Sequence, residues 1–127
     1  MLSKSQIVAY VPVSNLARAR AFYEQQLGFV PLDSNPEGVM YESGNGSRFF
    51  AYTSAGAGTN KASTAFWEVA ELEAEVAELK TRGVVFEEYD NPGYKTVNGI
   101  ATGDGIKSAW FKDTEGNILA LAQRLAK

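Results

Sequence analysis

The sequence contains two copies of one short pattern, and this repeat limits the fold more than any other feature. The segment Val-Ser-Asn-Leu at 13–16 returns as Val-Ala-Glu-Leu at 69–72, an offset of 56 residues. Each segment opens an amphipathic helical stripe, which ends at Gly28 in the first copy and at Gly83 in the second. Two copies are too few for a solenoid, and one copy is too small to bury both its helix and its sheet. The copies must therefore pack together or exchange with a second chain.

Each copy has the pattern of a β-α-β-β-β module. Apolar and β-branched runs on either side of the helical stripes predict the strands. These runs lie at 6–13, 29–32, 38–43 and 47–53 in the first copy, and at 62–69, 84–88, 107–112 and 117–123 in the second. The turn sequences 44–46 and 113–116 each join the last two strands of a copy. The sequence predicts an α+β fold, with one domain over 1–127 built of modules at about 5–55 and 62–125.

Two segments fall outside the repeat. Residues 54–61 are small, polar and glycine-rich, and they predict a linker without the pattern of a phosphate-binding loop. Residues 87–105 are longer than a simple connection and carry Tyr89, Tyr94 and Lys95. We expect a strand at about 96–101, and the rest is either a flap over a cavity or a plain surface loop.

The chain contains no histidine and no cysteine. Imidazole and thiolate metal sites and Ser-His-Asp or Cys-His mechanisms are therefore excluded, and only a carboxylate site for a hard cation is left. A formal net charge of −3 at pH 7 argues against a nucleic-acid partner, and no run of 18 apolar residues is present to span a membrane. The N-terminus lacks the apolar stretch of a signal peptide, so we expect a cytoplasmic protein.

Three motifs resemble those of the vicinal oxygen chelate superfamily, which contains glyoxalases, bleomycin resistance proteins and dioxygenases. The first covers 11–23 and Leu-Gly-Phe at 27–29, and the second covers 68–84. The third, Ala-Trp-Phe-Lys-Asp-Thr-Glu-Gly-Asn-Ile-Leu-Ala-Leu at 109–121, is similar to the terminal hairpin written FxDPxGNxxEL. The resemblance implies paired βαβββ modules that form an incomplete barrel around a ligand cavity. It also implies a homodimer that completes its sites across chains.

The resemblance also implies where a metal would bind. Enzymes of the superfamily hold a divalent metal on four inward residues, typically two His and two Glu, from the first and last strands of each module. The corresponding positions here are Val8, Ala51, Thr64 and Ala120. Valine and alanine carry no donor atom and threonine is a weak ligand, so we predict no metal site and no cofactor. The chain thus resembles the metal-free, drug-sequestering members more than the metal-dependent glyoxalases or dioxygenases.

Strand alternation predicts which side chains line the cavity. Phe111 is placed inward by pairing it with Ile118, and this pairing turns Trp110 outward under a helix. The resulting lining is aromatic and aliphatic, which is typical of a small-molecule site and suits flat or cationic ligands. The candidate ligand-binding residues are Tyr10, Tyr41, Phe49, Ala51, Thr64, Phe66, Glu68, Phe111 and Ala120.

Three functions are open at this point. The first is a metal-independent binding protein that sequesters an aromatic or cationic compound in a dimer cavity. The second is a lyase or isomerase of the same fold with a non-standard site, in which Tyr10, Tyr41 or Glu68 acts as acid or base. The third is a metal enzyme with carboxylates outside the superfamily positions. Those carboxylates would be Glu87, Asp90 and Asp104. The sequence assigns no catalytic residue, and whether the protein is an enzyme is left open.

Overall fold

A computed structural model describes residues 1–125 and builds them into two four-stranded sheets, two α-helices and a short hairpin. The helices are α1 (Leu16–Arg20), which continues as a π-helical segment over Ala21–Gln26, and α2 (Leu72–Thr81). The strands are β1 (Val8–Val13), β2 (Pro31–Asn35), β3 (Gly38–Glu42), β4 (Arg48–Thr53), β5 (Ala65–Glu68), β6 (Asp90–Asn91), β7 (Tyr94–Lys95), β8 (Ala101–Gly103), β9 (Ile106–Lys112) and β10 (Ile118–Arg124). Short 3₁₀ turns lie at Leu2–Lys4 and Gly44–Gly46. Across this described range, no helix is long and apolar enough to cross a membrane.

The two large sheets share one topology, as the repeat predicts. Their strand orders are β1-β4-β3-β2 and β5-β10-β9-β8, and the β6-β7 hairpin stands apart. In each large sheet the first strand of the module runs parallel to the last, β1 to β4 and β5 to β10, whereas the other neighbours are antiparallel. The expected βαβββ modules of the incomplete-barrel fold are confirmed.

The chain forms two compact units, each built on one large sheet. The first unit comprises Met1–Asn60 together with Thr114–Asn117. The second comprises Lys61–Asp113 and, of the described residues, 118–125. The boundary at 60–61 falls inside the predicted glycine-rich linker. Because Thr114–Asn117 is part of the first unit, the turn between β9 and β10 is grouped by its contacts with that unit rather than with the strands that it joins.

In the first unit, the helical segment covers one face of the sheet with aromatic side chains. Tyr23 is fully buried there, with its ring centroid 5.9 Å from that of Tyr41 and 5.5 Å from that of Phe49. Asn15 caps α1 by accepting a hydrogen bond from the Arg18 amide at 3.0 Å. A Ser-Asn pair before the helix predicts this cap from the sequence.

In the second unit, α2 packs on β9 and β10 through its buried residues Leu72 and Val76. A side chain from the sheet caps this helix, because Gln123 Oε1 accepts a hydrogen bond from the Leu72 amide at 2.8 Å. On the same face of the sheet, the Trp67 and Phe111 rings stack with centroids 6.5 Å apart.

The side-chain orientation predicted for β4 is wrong by one residue. In the parallel register of β1 with β4, Tyr10 is the partner of Phe50. Phe50 therefore lies on the face of Tyr10, whereas Phe49 and Ala51 point to the helix side and are buried. Tyr41, predicted to line a cavity, is also buried on the helix side.

The orientation predicted for β9 is wrong for the same reason. Phe111 pairs with Leu119 rather than with Ile118, so Phe111 lies on the helix side of the second sheet. Trp110 pairs with Ala120 and points to the opposite, uncovered face. The prediction had these two aromatic side chains exchanged.

The strand predicted at 96–101 is also misplaced. The chain instead makes a turn over 97–100, closed by an isolated bridge between Val97 and Ile100. Asn98 and Gly99 have φ values of 55° and 83°, which lie in the left-handed region and are incompatible with a continuous strand. Regular pairing occurs on either side, in β7 and β8.

Candidate ligand-binding surfaces

The uncovered face of the first sheet carries a group of aromatic side chains, which we call the Tyr10 face. Alternation along the strands brings Val8 and Tyr10 of β1 to the same side as Met40 of β3 and as Phe50 and Tyr52 of β4. The Tyr10 side chain is 66% exposed. Its ring centroid lies 6.1 Å from that of Phe50 and 4.8 Å from that of Tyr52, both in edge-to-face geometry.

Two clefts open on the Tyr10 face. One, of about 300 Å³, is bounded by Val8, Tyr10, Met40 and Phe50. The other, of about 520 Å³, lies between the rings and residues 36–37, and Glu37 is the one charged side chain among the residues that line either cleft. The Tyr10 face thus offers ring surfaces with a single carboxylate at the edge, which suits flat or cationic compounds.

The uncovered face of the second sheet has a different composition. The strand registers place Phe66, Ala120 and Trp110 in one row across it, and the Phe66 side chain is 65% exposed. Glu68 lies on the same face and forms an ion pair with Arg124. Of the sequence-predicted candidates, this face therefore brings together Thr64, Phe66, Glu68 and Ala120, whereas Phe111 lies beneath it.

The segment of unassigned role, 87–105, places two aromatic rings on Trp110. Tyr89 precedes β6 and Tyr94 lies in β7, and their ring centroids are 5.4 Å and 5.3 Å from that of Trp110. The hairpin is held at its base by Thr96, whose hydroxyl accepts a hydrogen bond from the Tyr89 amide at 2.8 Å and donates to Glu88 at 2.5 Å. Burial raises the pKa of the Tyr89 phenol, so this ring stays neutral.

A cleft of about 380 Å³ lies between this hairpin and β9, and we call it the Trp110 cleft. Its lining combines three aromatic rings with two ammonium groups and one carboxylate. The Lys112 Nζ atom is 3.8 Å from Glu87 Oε1, which is an ion pair without a hydrogen bond. The aromatic and charged lining residues are Lys61, Glu87, Tyr89, Tyr94, Trp110 and Lys112.

Tyr41 is bonded within the covered side of the first sheet. Its hydroxyl donates to Glu24 Oε2 at 2.7 Å, and the Arg20 Nε atom donates to the same oxygen at 2.7 Å. Burial raises the pKa of Tyr41, and the bond to Glu24 raises it further. Burial alone would raise the pKa of Glu24, but the hydrogen bonds from Arg20 and Tyr41 outweigh it and lower that pKa. Tyr41 is a neutral donor to Glu24, so its hydroxyl is already engaged in the core.

The four superfamily metal positions do not supply a ligand set. Tyr10 pairs with Phe50 in the first sheet just as Phe66 pairs with Ala120 in the second, so the structural counterpart of Ala120 is Phe50 rather than Ala51. Phenylalanine and alanine have no donor atom, and Val8 adds none. Within residues 1–125, no three His, Cys, Asp or Glu side chains come together in a way that could hold a metal ion. The residues present do not fit the divalent metal of the superfamily enzymes.

Glu115, in the turn between β9 and β10, is a key residue that the sequence did not reveal. Its side chain is fully buried in the first unit. The carboxylate accepts hydrogen bonds from the Ser14 and Asn15 amides at 3.0 and 2.8 Å, and from Arg18 Nε at 2.8 Å. Burial alone would raise the pKa of Glu115, but these bonds and one from Thr114 outweigh burial and lower the pKa to about 2. Glu115 therefore anchors the turn to the start of α1.

A comparison with protein-family models decides which family the chain represents. The model of the Glyoxalase/Bleomycin resistance protein/Dioxygenase superfamily matches residues 5–121. The chain belongs to this superfamily. The resemblance to the superfamily is thus confirmed. No curated protein matches the chain.

Several solved structures share this fold. The antibiotic-binding protein TnmS3 from Streptomyces sp. CB03234 superposes with a TM-score of 0.73 at 21% identity, over 98% of each chain. A superfamily protein from Alicyclobacillus acidocaldarius gives a TM-score of 0.70 at 13% identity, covering 97% of this chain and 93% of its own. A glyoxalase/bleomycin resistance protein from Streptomyces sp. CB03234 gives 0.67 at 21% identity, covering 92% and 98%. At these identities the likeness establishes the fold alone.

Proposed function

We propose that this chain is a metal-independent binding protein, which sequesters a small aromatic or cationic compound on the Tyr10 face without converting it. The observation that carries the proposal is the position of Tyr10, which is 66% exposed and flanked at ring distance by Phe50 and Tyr52. An exposed ring beside two half-buried rings on a sheet face is typical of a binding surface rather than of a core. A flat ligand stacked there would cover them, and Glu37 would favour a positive charge at its edge.

Two further observations support binding over catalysis. The superfamily metal positions carry no donor set, so the usual Lewis acid has no ligands here. Two of the three acid and base candidates are also engaged elsewhere, since Tyr41 donates to Glu24 and Glu68 pairs with Arg124. TnmS3, which is described as an antibiotic-binding protein, has the same fold and supports a small organic molecule as the ligand class.

We further propose that a second copy of the chain covers the ligand in a homodimer cavity. An uncovered sheet face that carries Tyr10, Met40, Phe50 and Tyr52 is too apolar to be left in water when no ligand is bound. Self-association would remove this surface from solvent and enclose the compound. Native mass spectrometry should therefore show a dimer, and a protein that stays monomeric while binding ligand would contradict this part of the proposal.

The binding site is tested with proflavine, a fluorescent planar aromatic cation, by equilibrium dialysis. Tyr10→Ala should weaken proflavine binding about tenfold, because a desolvated cation–ring contact contributes about 1.4 kcal/mol. Val30→Ala is the matched control, since Val30 is an exposed apolar residue of the same unit that lines neither cleft. Absence of saturable binding, or equal loss in both variants, would overturn the assignment of this face.

Sequestration without turnover is tested separately. A panel of aromatic cations is incubated with the protein. Each bound compound is then recovered, and its mass is measured by mass spectrometry. Recovery at unchanged mass supports sequestration. A changed mass would replace it with the alternative, a lyase or isomerase of the same fold with a non-standard site.

A further inference from the structure

We propose that the Trp110 cleft is a second binding site, and that it takes a planar aromatic compound carrying an acidic group such as a carboxylate or a sulfonate. The cleft lies wholly within the second unit. It shares no residue with the Tyr10 face, so this inference stands independently of the proposed function.

The aromatic part of the site is built by two separate elements. Trp110 comes from β9, where the register turns it to the uncovered face of the sheet. Tyr89 and Tyr94 come from the β6-β7 hairpin and approach Trp110 from the side, with all three ring centroids within 5.8 Å of one another. Tyr94 is 43% exposed, so this cluster still presents ring surface to solvent. A flat ligand ring would stack against that surface.

The charges of the cleft select the second part of the ligand. Lys61 and Lys112 bring two ammonium groups and Glu87 brings one carboxylate, which leaves one positive charge in excess. The 3.8 Å separation of Lys112 from Glu87 is too long for a hydrogen bond, so the Lys112 ammonium can donate to an anionic ligand group. A cationic ligand would meet two like charges here. The Tyr10 face, whose clefts carry Glu37 as their charged residue, has the opposite preference.

The size of the cleft limits the ligand further. A volume of about 380 Å³ lies at the small end of the range of small-molecule sites, which suits two or three rings rather than a large natural product. The open side of the cleft leaves room for an acidic substituent to reach the lysines at the rim.

The test uses two dyes that differ only in the acidic group. The anion is 8-anilinonaphthalene-1-sulfonate, and its neutral twin is N-phenyl-1-naphthylamine. Trp67→Phe provides the background, because the chain has two tryptophans and Trp67 lies on the covered face, so Trp110 becomes the sole reporter. Energy transfer from Trp110 to the dye then measures binding near this residue, and the lysine variants described below assign it to the cleft. We expect the sulfonate dye to bind about tenfold more tightly than its neutral twin, as one charge-assisted hydrogen bond predicts.

Lysine variants test which ammonium groups bind the sulfonate of the dye. Lys61→Gln combined with Lys112→Gln should abolish the preference for the sulfonate while leaving the affinity of the neutral dye unchanged. Lys4→Gln is the control, because Lys4 is an exposed lysine of the first unit outside the cleft. Equal affinities of the two dyes, or a preference that survives the double variant, would overturn the acidic-group inference. Absence of energy transfer from Trp110 with both dyes would overturn the site itself. Neither result bears on the proflavine experiment at the Tyr10 face.

Discussion

At the scale of single residues, Glu115 is a buried carboxylate that is held by several hydrogen bonds. A buried carboxylate is unfavourable unless hydrogen bonds and a positive charge compensate for its lost hydration. Here Ser14, Asn15, Thr114 and Arg18 supply both. The same carboxylate accepts hydrogen bonds from the Ser14 and Asn15 amides, which immediately precede α1. One side chain therefore fixes both a turn and a helix terminus.

Replacing Glu115 with glutamine should lower the free energy of unfolding by about 1–3 kcal/mol, because the neutral amide loses the ion pair with Arg18 and weakens the charge-assisted hydrogen bonds. Urea unfolding at pH 7, followed by circular dichroism, measures the change. Glu78→Gln is the matched control, since Glu78 forms an exposed i,i+4 pair with Arg82 and should cost less than about 0.5 kcal/mol. Equal effects of the two variants would contradict the anchoring role.

The pH dependence of stability should carry the signature of the same carboxylate. The pKa of Glu115 falls from 4.5 in the unfolded chain to about 2 in the folded protein, so the folded state holds the ionised form more tightly. Its stabilisation is fully present above about pH 5 and is lost as the pH falls from there towards 2. We expect the stability difference between the wild type and Glu115→Gln to shrink over that interval. A difference that is constant from pH 7 to pH 3 would show that charge at this position is irrelevant.

At the scale of elements, the sequence located most strands of the two large sheets but not their faces. It also predicted a strand at 84–88, where the structure has only an isolated bridge at Phe86 and β8 takes that place in the sheet. Alternation identifies the buried face only when one face is polar. In β4, Phe49 and Phe50 are adjacent aromatics, and in β9, Trp110 and Phe111 are as well. In neither strand does the sequence show which of two adjacent aromatic residues is buried. A prediction that is wrong by one residue therefore assigns each side chain to the opposite face of the sheet. In β1, β5 and β10 the predicted face agrees with the strand registers, whereas in β4 the superfamily position Ala51 is one residue out.

The β6-β7 hairpin should depend on the hydroxyl of Thr96. Thr96→Val keeps the branched shape but removes the bonds to Glu88 and to the Tyr89 amide. We expect faster amide exchange within the hairpin, and a change in Trp110 emission in the Trp67→Phe background as the tyrosine rings loosen from Trp110. Thr102→Val, at an exposed position in β8, should change neither. Unaltered exchange in Thr96→Val would mean that other contacts hold the hairpin.

At the scale of the whole molecule, the chain is interleaved rather than divided at a single point. The first unit contains Met1–Asn60 but also the Thr114–Asn117 turn, which lies far along the sequence. Asn117 makes this plain, since its amide group donates to the Pro12 carbonyl at 2.7 Å and accepts from the Gly58 amide at 3.2 Å. No local pattern could predict these contacts, because they join positions about 60 and 105 residues apart.

A fragment of residues 1–60 should therefore fail to fold alone. It lacks the turn that anchors the residues before α1 and contacts residues 12 and 58, so these residues and the linker lose their partners. Circular dichroism should show a disordered chain without a cooperative thermal transition, under conditions where the full-length protein unfolds cooperatively. A cooperative transition in the fragment would show that the turn is dispensable.

The interleaved turn also bears on how the protein can be engineered. A short polar hairpin turn is normally the first choice for inserting a tag or a binding peptide, because such turns are exposed and tolerant. From its sequence, the Asp113–Gly116 turn would be judged exposed and tolerant. In the structure, however, Glu115 and the following Asn117 are buried and form hydrogen bonds to the first unit. The Gly44–Gly46 turn has open space around its glycines and contributes nothing to the core. A fluorescent or affinity sensor built from this protein should therefore carry its insertion in the Gly44–Gly46 turn. The Asp113–Gly116 turn should be left unchanged.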